Sequence, residues 1–235
     1  MSPFLGGKWV NSVAGSPQQG GGSNLPEWWD DVLMYHDFNE DFSDSGPLEN
    51  TVNSSGTAAI NTTEKKWGDG SFQGSKITIA DRSEFEMSGE LTIAYWVRVT
   101  GGGFGGHFDF QNTNPNGVRG SSYNNSIEVV ALGTGIVASN DFGDVPYNQW
   151  VHIAITRDAS NQWRLFANGV LGTKSSVVKA GTITGGADFQ IGNIVGNAFA
   201  LIGQMDDFIA IKDNCLWTEG FTPPTGPHND PSSYS

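Results

Sequence analysis

The chain has 235 residues and a formal net charge of −13, with 32 glycines, 11% aromatic residues and only 16% charged ones. Its 12 basic residues are scattered without a cluster, so the surface repels a phosphate backbone and excludes nucleic-acid binding. No run approaches the roughly 20 apolar residues of a membrane-spanning helix, and the single cysteine, Cys215, excludes a disulfide within the chain.

The first segment, residues 1–31, reads as an extended N-terminal arm. Its N-terminus has no basic region followed by an apolar run, so no signal peptide is expected. Gly, Ser, Pro and Gln dominate, as in a flexible linker, yet Phe4, Trp9, Trp28 and Trp29 are too apolar for a spacer. Such a segment cannot order itself alone. Either these aromatics dock on a partner subunit, or the arm folds back on its own domain.

From Val32 onward, short strands follow one another. "VLMYHDF" opens the domain, and "SFQGSKITIA", "LTIAYWVRV", "HFDFQ", "SIEVVALG" and "GIVAS" continue it. "QWVHIAITR" alternates: Val151, Ile153 and Ile155 share one face, His152, Ala154 and Thr156 the other. In "QWRLFANGVLG" the pair Asn168-Gly169 accepts the positive φ angles of a type I′ turn and predicts a hairpin. "FQIGN" and "LIGQMDDFIAIK" close the sheet. Helical periodicity is nowhere sustained, so the fold class is all-β, a sandwich or barrel. The sandwich is expected over residues 32–222 and a Pro/Ser-rich tail over 223–235.

Candidate chemistry gathers at two acidic stretches. "DFNEDFSDSG" (37–46) begins like an EF-hand loop, but its sixth position is Phe42 where Gly is required and its twelfth is Leu48 where a bidentate Glu belongs. A retaining glycosidase needs carboxylates about 5 Å apart on one face. No Glu-x-Asp-x-x-Glu string supplies them, which leaves Asp109 and Glu128 as the residues any hydrolase activity would implicate. The histidines lack zinc spacing, and "GGGFGGH" (101–107) reads as a hairpin loop, not a phosphate cradle.

In "GQMDDFIAI", strict alternation places Asp206 with Phe208 and Ala210, and Asp207 with Met205, Ile209 and Ile211. Both faces are apolar, so at least one carboxylate points inward and needs hydrogen bonds or a cation. If the first and last strands pair, Asn39, Asp44 and Asp206 could form an oxygen shell for a structural calcium. The alternative is that Asp206 accepts backbone N–H bonds from the 39–46 loop and pins the termini. Trp96 and Trp150 are expected in the core. Trp163, beside Arg164, and Tyr147, beside Asn148, are candidates for stacking on a glycan, with ordinary packing as the alternative.

Five segments together resemble a known family. "DFNEDFSDSGPLENT", "WGDGSFQGSKITI", "LTIAYWVRV", "QWVHIAITRDASNQWRLFANGVL" and "GQMDDFIAIKDNCLWTEGFTPPT" are similar, in that order, to motifs of laminin-G-like, concanavalin A-like jelly rolls. The resemblance spans residues 32 to about 225 and implies a jelly-roll β-sandwich of two antiparallel sheets. Asn39, where the family more often has Asp, and Met205-Asp206-Asp207, in place of Ile-Asp-Glu, depart from its pattern. The terminal Phe221–Pro224 segment resembles a variant found in bacteriophage virion proteins. The function so implied is a non-catalytic virion structural subunit, decorating the capsid or forming part of a tail or head appendage, oligomeric with other virion proteins. It would be assembled in the host cytoplasm and exposed on the particle surface. The second reading is a lectin-like module for host-surface or environmental polysaccharide; the third, a polysaccharide hydrolase, lacks its acid triplet.

Overall fold

The computed structural model describes residues 25–110, 116–133, 135–141, 143–174, 177–184, 187–194 and 199–234. Phe4 and Trp9 lie outside the described residues. Among the described residues the strands are β1 (Val32–His36), β2 (Val52–Ser55), β3 (Ala59–Asn61), β4 (Ser71–Gln73), β5 (Lys76–Ile79) and β6 (Leu91–Val99). The middle of the chain supplies β7 (Phe104–Phe110), β8 (Val118–Tyr123), β9 (Ser126–Ala131), β10 (Ile136–Ser139), β11 (Trp150–Arg157) and β12 (Trp163–Ala167). It closes with β13 (Val170–Leu171), β14 (Phe189–Ile191), β15 (Asn193–Ile194), β16 (Phe199–Ala200) and β17 (Gly203–Lys212). Three short 3-10 turns, at Trp29–Asp31, Ser83–Phe85 and Pro231–Tyr234, are the helical elements of the described residues, and none is long and apolar enough to cross a membrane.

Two antiparallel sheets face each other. One runs β13-β12-β11-β6-β17-β4-β3, with β1 also on β17; the other runs β10-β9-β8-β7-β14-β5-β2. The first and last long strands pair, Met34 opposite Ala210 and His36 opposite Phe208. At the tip joining β12 to β13, Asn168 and Gly169 both take positive φ, 48° and 75°, with Ala167 opposite Val170. These are the angles of the type I′ hairpin expected there.

The main core lies between the sheets. Ile93, Tyr95 and Val97 of β6, Val151, Ile153 and Ile155 of β11, Phe108, Phe110, Phe189 and Phe208 all point into it. A second apolar layer covers the outer face of the β6–β11–β17 sheet. There Ala94, Ala154, Ile209, Ile211, Tyr35 and Phe166 meet Trp28, Trp29, Leu216, Trp217 and Phe221. The threonines of that face receive the C-terminal segment: Thr92 Oγ1 donates to Asn214 O (2.9 Å) and accepts from Leu216 N (3.0 Å), and Thr156 Oγ1 donates to Trp217 O (2.9 Å). Polar residues on a strand face here mark a covered surface, not a solvated one. Trp96 belongs to this outer layer, 5% exposed, and Trp150 is half-buried at the start of β11.

β17 carries a bulge that corrects the alternation expected for it. Asp206 opposes Trp96 and Ile209 opposes Ala94, so Asp207 and Phe208 together face Tyr95. Asp207 takes a φ of 53°, the left-handed conformation that such a bulge uses. Met205 and Phe208 therefore both enter the main core, while Asp206 and Asp207 both project outward, Asp206 beneath the Lys66–Trp67 loop and Asp207 beneath the C-terminal segment.

Candidate functional site

The expected calcium ligands do not converge. Asp44 is consumed by its own loop: Oδ1 accepts from Tyr35 N (2.8 Å) and Gly46 N (2.9 Å), and Oδ2 from Asn50 N (3.0 Å) and Asn50 Nδ2 (2.5 Å). Asn39 Oδ1 accepts from Asp69 N (2.7 Å), its amide lying over Gly68, whose φ is +54°. Asp206 Oδ2 accepts from Lys66 N (2.8 Å) and Trp67 N (3.0 Å), a loop distinct from 39–46. Oxygens that already accept backbone N–H bonds on this scale are poor ligands for a hard cation, which needs six to eight of them. The residues do not fit calcium, and no group of three His, Cys, Asp or Glu able to hold a metal occurs among the described residues. Asp37, Glu40, Asp41 and Asp69 instead line a shallow surface depression.

Beneath the C-terminal segment the outward acids join a buried polar cluster. Asp207 accepts from Tyr35 Oη (2.7 Å) and from His228 N (3.1 Å to each oxygen). Burial pushes both Asp206 and Asp207 up to about 7. Burial likewise holds His228 down at about 3 and His152 well below its ordinary value, so His228 Nε2, 3.7 Å from Asp207, is no ion-pair partner. Lys66 Nζ stands 3.8 Å from the Trp96 ring and 4.6 Å from Trp67, a cation–π arrangement. This cluster holds the C-terminal segment to the sheet.

The predicted stacking residues part company. Trp163 is fully buried, with Nε1 donating to Lys179 O (3.2 Å) and the Arg157 guanidinium 5.3 Å from its ring. It offers no face to a sugar; its strand turns it into the core. Trp28 and Trp29, expected as docking aromatics, pack in the outer layer of their own chain, and Trp29 is only 8% exposed. Tyr147, by contrast, is 39% exposed.

Tyr147 sits at the end of the sandwich where β6 stops and β7, β9, β11 and β17 start. Built backbone turns hold that end together. Asn124, with φ 54°, donates N–H to Gly103 O (2.8 Å) and accepts Gly103 N on Oδ1 (3.1 Å). Asn148, with φ 60°, donates to Val99 O (2.8 Å), and Gly143 N and Val145 N both reach Asn125 O at 3.2 Å. A Cβ on Gly102 would come within 3.2 Å of both Tyr147 Oη and Asn124 Oδ1, so phenol and amide lean over the same glycine. Tyr123, 48% exposed, precedes Asn124 and pairs across strands with Phe104. Phe104 meets Phe199, 43% exposed, edge to face at 4.9 Å. Exposed aromatics beside oriented amides are what sugar rings pack on and hydrogen-bond to.

The glycine run is explained by the same region. Gly105 and Gly106 lie in β7, not in a hairpin loop, and a Cβ on Gly106 would stand 2.5 Å from Ile194 N and 2.6 Å from Phe199 O. The β15–β16 ribbon thus crosses β7 at backbone contact. Tyr123, Asn124, Phe104 and Phe199 were not foreseen, although "YNN" (123–125) repeats the aromatic-then-amide signal that singled out Tyr147 and Asn148.

Asp109 and Glu128 lie on the outer face of the other sheet, opposite Arg119 and Ser121 of β8 respectively. Two strand spacings put their backbones about 10 Å apart or more, wider than the roughly 5 Å of a retaining glycosidase pair.

Comparison with known proteins bears on both fold and site. The Laminin_G_3 family, described as the Concanavalin A-like lectin/glucanases superfamily, matches residues 69–213. No curated protein sequence matches. Among solved structures, the binding domain of botulinum neurotoxin serotype G is similar at TM-score 0.55 and 16% identity, over 81% of this chain and 48% of that one. The binding domain of Paraclostridial Mosquitocidal Protein 1 is similar at 0.61 and 15%, over 81% and 51%. A botulinum neurotoxin type C structure, whose cell entry depends on interaction with two ganglioside molecules, is similar at 0.61 and 14%, over 78% and 48%. The chain spans about half the length of these structures.

Proposed function

The chain belongs to the Concanavalin A-like lectin/glucanases superfamily, and from that premise we propose that it is a non-catalytic carbohydrate-binding module. Its ligand is held by the loops at the Tyr147 end of the sandwich. The observation that carries this reading is the exposed Tyr147 leaning with Asn124 over Gly102, next to the exposed Tyr123. Glycine leaves the floor of the site open, the two phenols offer ring faces, and turn-locked asparagines present amides without further ordering cost. The absence of a Glu-x-Asp-x-x-Glu string from the sequence supports binding without hydrolysis. Similar solved structures named as binding domains support it as well.

On a broad glycan array, Tyr147→Ala and Tyr123→Ala are each expected to weaken the best ligand roughly tenfold while leaving the melting temperature unchanged. Silence of the wild-type protein across the array would overturn the reading.

A finer setting belongs to the same proposal: a bacteriophage particle on which this module is displayed, docked through Phe4 and Trp9. Its support is the resemblance of Phe221–Pro224 and the aromatic composition of the arm. Deleting residues 1–24 keeps Trp28 and Trp29 in place, so the sandwich is expected to stay folded while incorporation into a particle is lost. Retained incorporation would remove the arm from the account.

A further inference from the structure

After β17 the chain turns back as the C-terminal segment, residues 213–234, over the outer face of the β6–β11–β17 sheet. Its first part is tied by backbone groups: Asp213 N donates to Glu90 O (2.9 Å) and Phe221 N to Gly169 O (3.1 Å), beside the Thr92 and Thr156 bonds. Its last part is held at His228, whose N–H donates to the Asp207 carboxylate (3.1 Å) and whose Nδ1 bonds Tyr234 Oη. His228 rests on His152 of β11, ring centroids 5.5 Å apart. Both imidazoles are fully buried, and both nitrogens of His152 and Nε2 of His228 are enclosed without a hydrogen-bond partner among the described residues. Native structures rarely leave buried polar atoms so.

The surroundings disfavour a charge on this pair. Around His152 stand Trp96 of β6 at 5.1 Å and, from the segment, Trp217 and Phe221 at 5.8 Å each. Lys66, over the Trp96 ring, and His228 both oppose a proton on His152. On β17, Asp206 is committed to the Lys66 and Trp67 N–H groups, and Asp207 accepts from Tyr35 Oη of β1. Burial, with Asp37 adding to it, raises Asp207 to about 7, so in weak acid it carries no counter-charge. Tyr35 and Tyr234 are raised and stay neutral, and Arg164 of β12 is paired with Asp158 (2.8 Å). Trp217, Phe221 and His228 all belong to the segment, so lifting it bares both imidazoles to water.

We propose that residues 213–234 form an acid-released strap, lifting from the sheet as His152 and His228 take up protons while the two-sheet body stays folded. Closed, the imidazoles resist protonation: His228 is held at about 3 and His152 well below its ordinary value. Open, both return toward about 6.5, so opening takes up protons as pH falls below that value. Asp207 works the other way, since exposure returns it from about 7 toward about 4 and releases a proton between those limits. Two gained against one lost leaves a net uptake of about one, or about a tenfold rise in opening per pH unit between about pH 6 and 4. Release uncovers the apolar face of Ala94, Ala154, Phe166, Ile209 and Ile211.

The test is hydrogen exchange on the full chain, read as protection factors at unit steps from pH 7 to 4 for residues 213–234 and, as reference, for β6 and β11. The segment is expected to be less protected than the reference at every pH and to lose roughly tenfold per unit between about pH 6 and 4. His152→Phe, or His152→Gln where the larger ring misfolds, removes one site. One imidazole and Asp207 then balance, and the profile should flatten. With His228→Phe added, Asp207 alone remains and the sign reverses: acid should tighten the segment. If that double variant does not fold at pH 7, the single-variant profile decides. The strap is refuted by a segment whose protection is unchanged between pH 6 and 4, by one that shares the protection of β6 and β11 throughout, or by a His152 variant whose profile is as steep as wild type.

Discussion

Asp44 illustrates what the acidic opening loop does. Its carboxylate accepts four hydrogen bonds that tie Tyr35 of β1 to Gly46 and Asn50, and Asn50 in turn reaches Leu33 O (2.8 Å) and receives Arg82 Nη1 (2.8 Å). Asp44→Ala strands several buried donors and is expected to destabilise the fold by about 3 kcal/mol, measured by urea unfolding. Because these oxygens are already spent, excess EDTA is expected to leave the wild-type melting curve unchanged; a lowered midpoint would restore a metal to this loop. Residue identity alone announced a cluster of oxygens here. Which neighbours would claim them depended on a turn that brings Asn50 back over Leu33, and no short motif encodes that return.

At the level of elements, alternation and turn chemistry were legible. β11 sorted its faces as expected and Asn168-Gly169 made its hairpin, because each depends on local period or on φ preference; β1 also pairs with β17, a contact across the length of the chain that no local pattern encodes. The C-terminal segment was not legible in the same way. "TPPTGPHNDPSSYS" reads by composition as a tail, while its packing rests on Trp217 and Phe221, stacked at 4.1 Å and 9°, and on Tyr234 edge-on to Trp28 at 5.5 Å. Aromatics spaced irregularly through proline-rich chain carry no period to detect. Trp217→Ala is expected to cost about 3 kcal/mol and to raise the protease sensitivity of the segment after Lys212. An unchanged midpoint would mean the outer layer contributes little.

For the whole molecule, the buried titratable groups set the pH response. Burial lowers His36, His107, His152 and His228, with His107 and His228 at about 3, and raises Asp206 and Asp207 to about 7. A lowered histidine contributes stability above its unfolded value of about 6.5 and loses it as pH falls. A raised carboxyl does the reverse: its contribution is complete below about 4 and is lost as pH rises through about 7. Between those limits the two histidines held at about 3 alone balance the two protons released from aspartate on unfolding, and the lowered His36 and His152 tip the balance to net uptake. Stability should therefore peak near about pH 7 and fall toward pH 4, with a slight decline on the alkaline side. Urea midpoints measured at unit steps from pH 4 to 9 check this; a midpoint that climbs steadily toward pH 5 would contradict it. The groups responsible come from β1, β7, β11, β17 and the C-terminal segment, so they stand far apart in the chain and no local pattern marks them as buried.

The extra residue in β17 acts as a change of parity along the strand. Upstream of it, odd-numbered Met205 faces the core; downstream, even-numbered Phe208 and Ala210 do. Removing Asp207 alone would take out the bulge and restore strict alternation, with Met205, Phe208 and Ala210 still on the core face and Asp206, Ile209 and Ile211 on the covered one. Chains that share this architecture but lack the insertion must carry one unbroken in-out alternation through the whole strand, a signature that can be sought by eye.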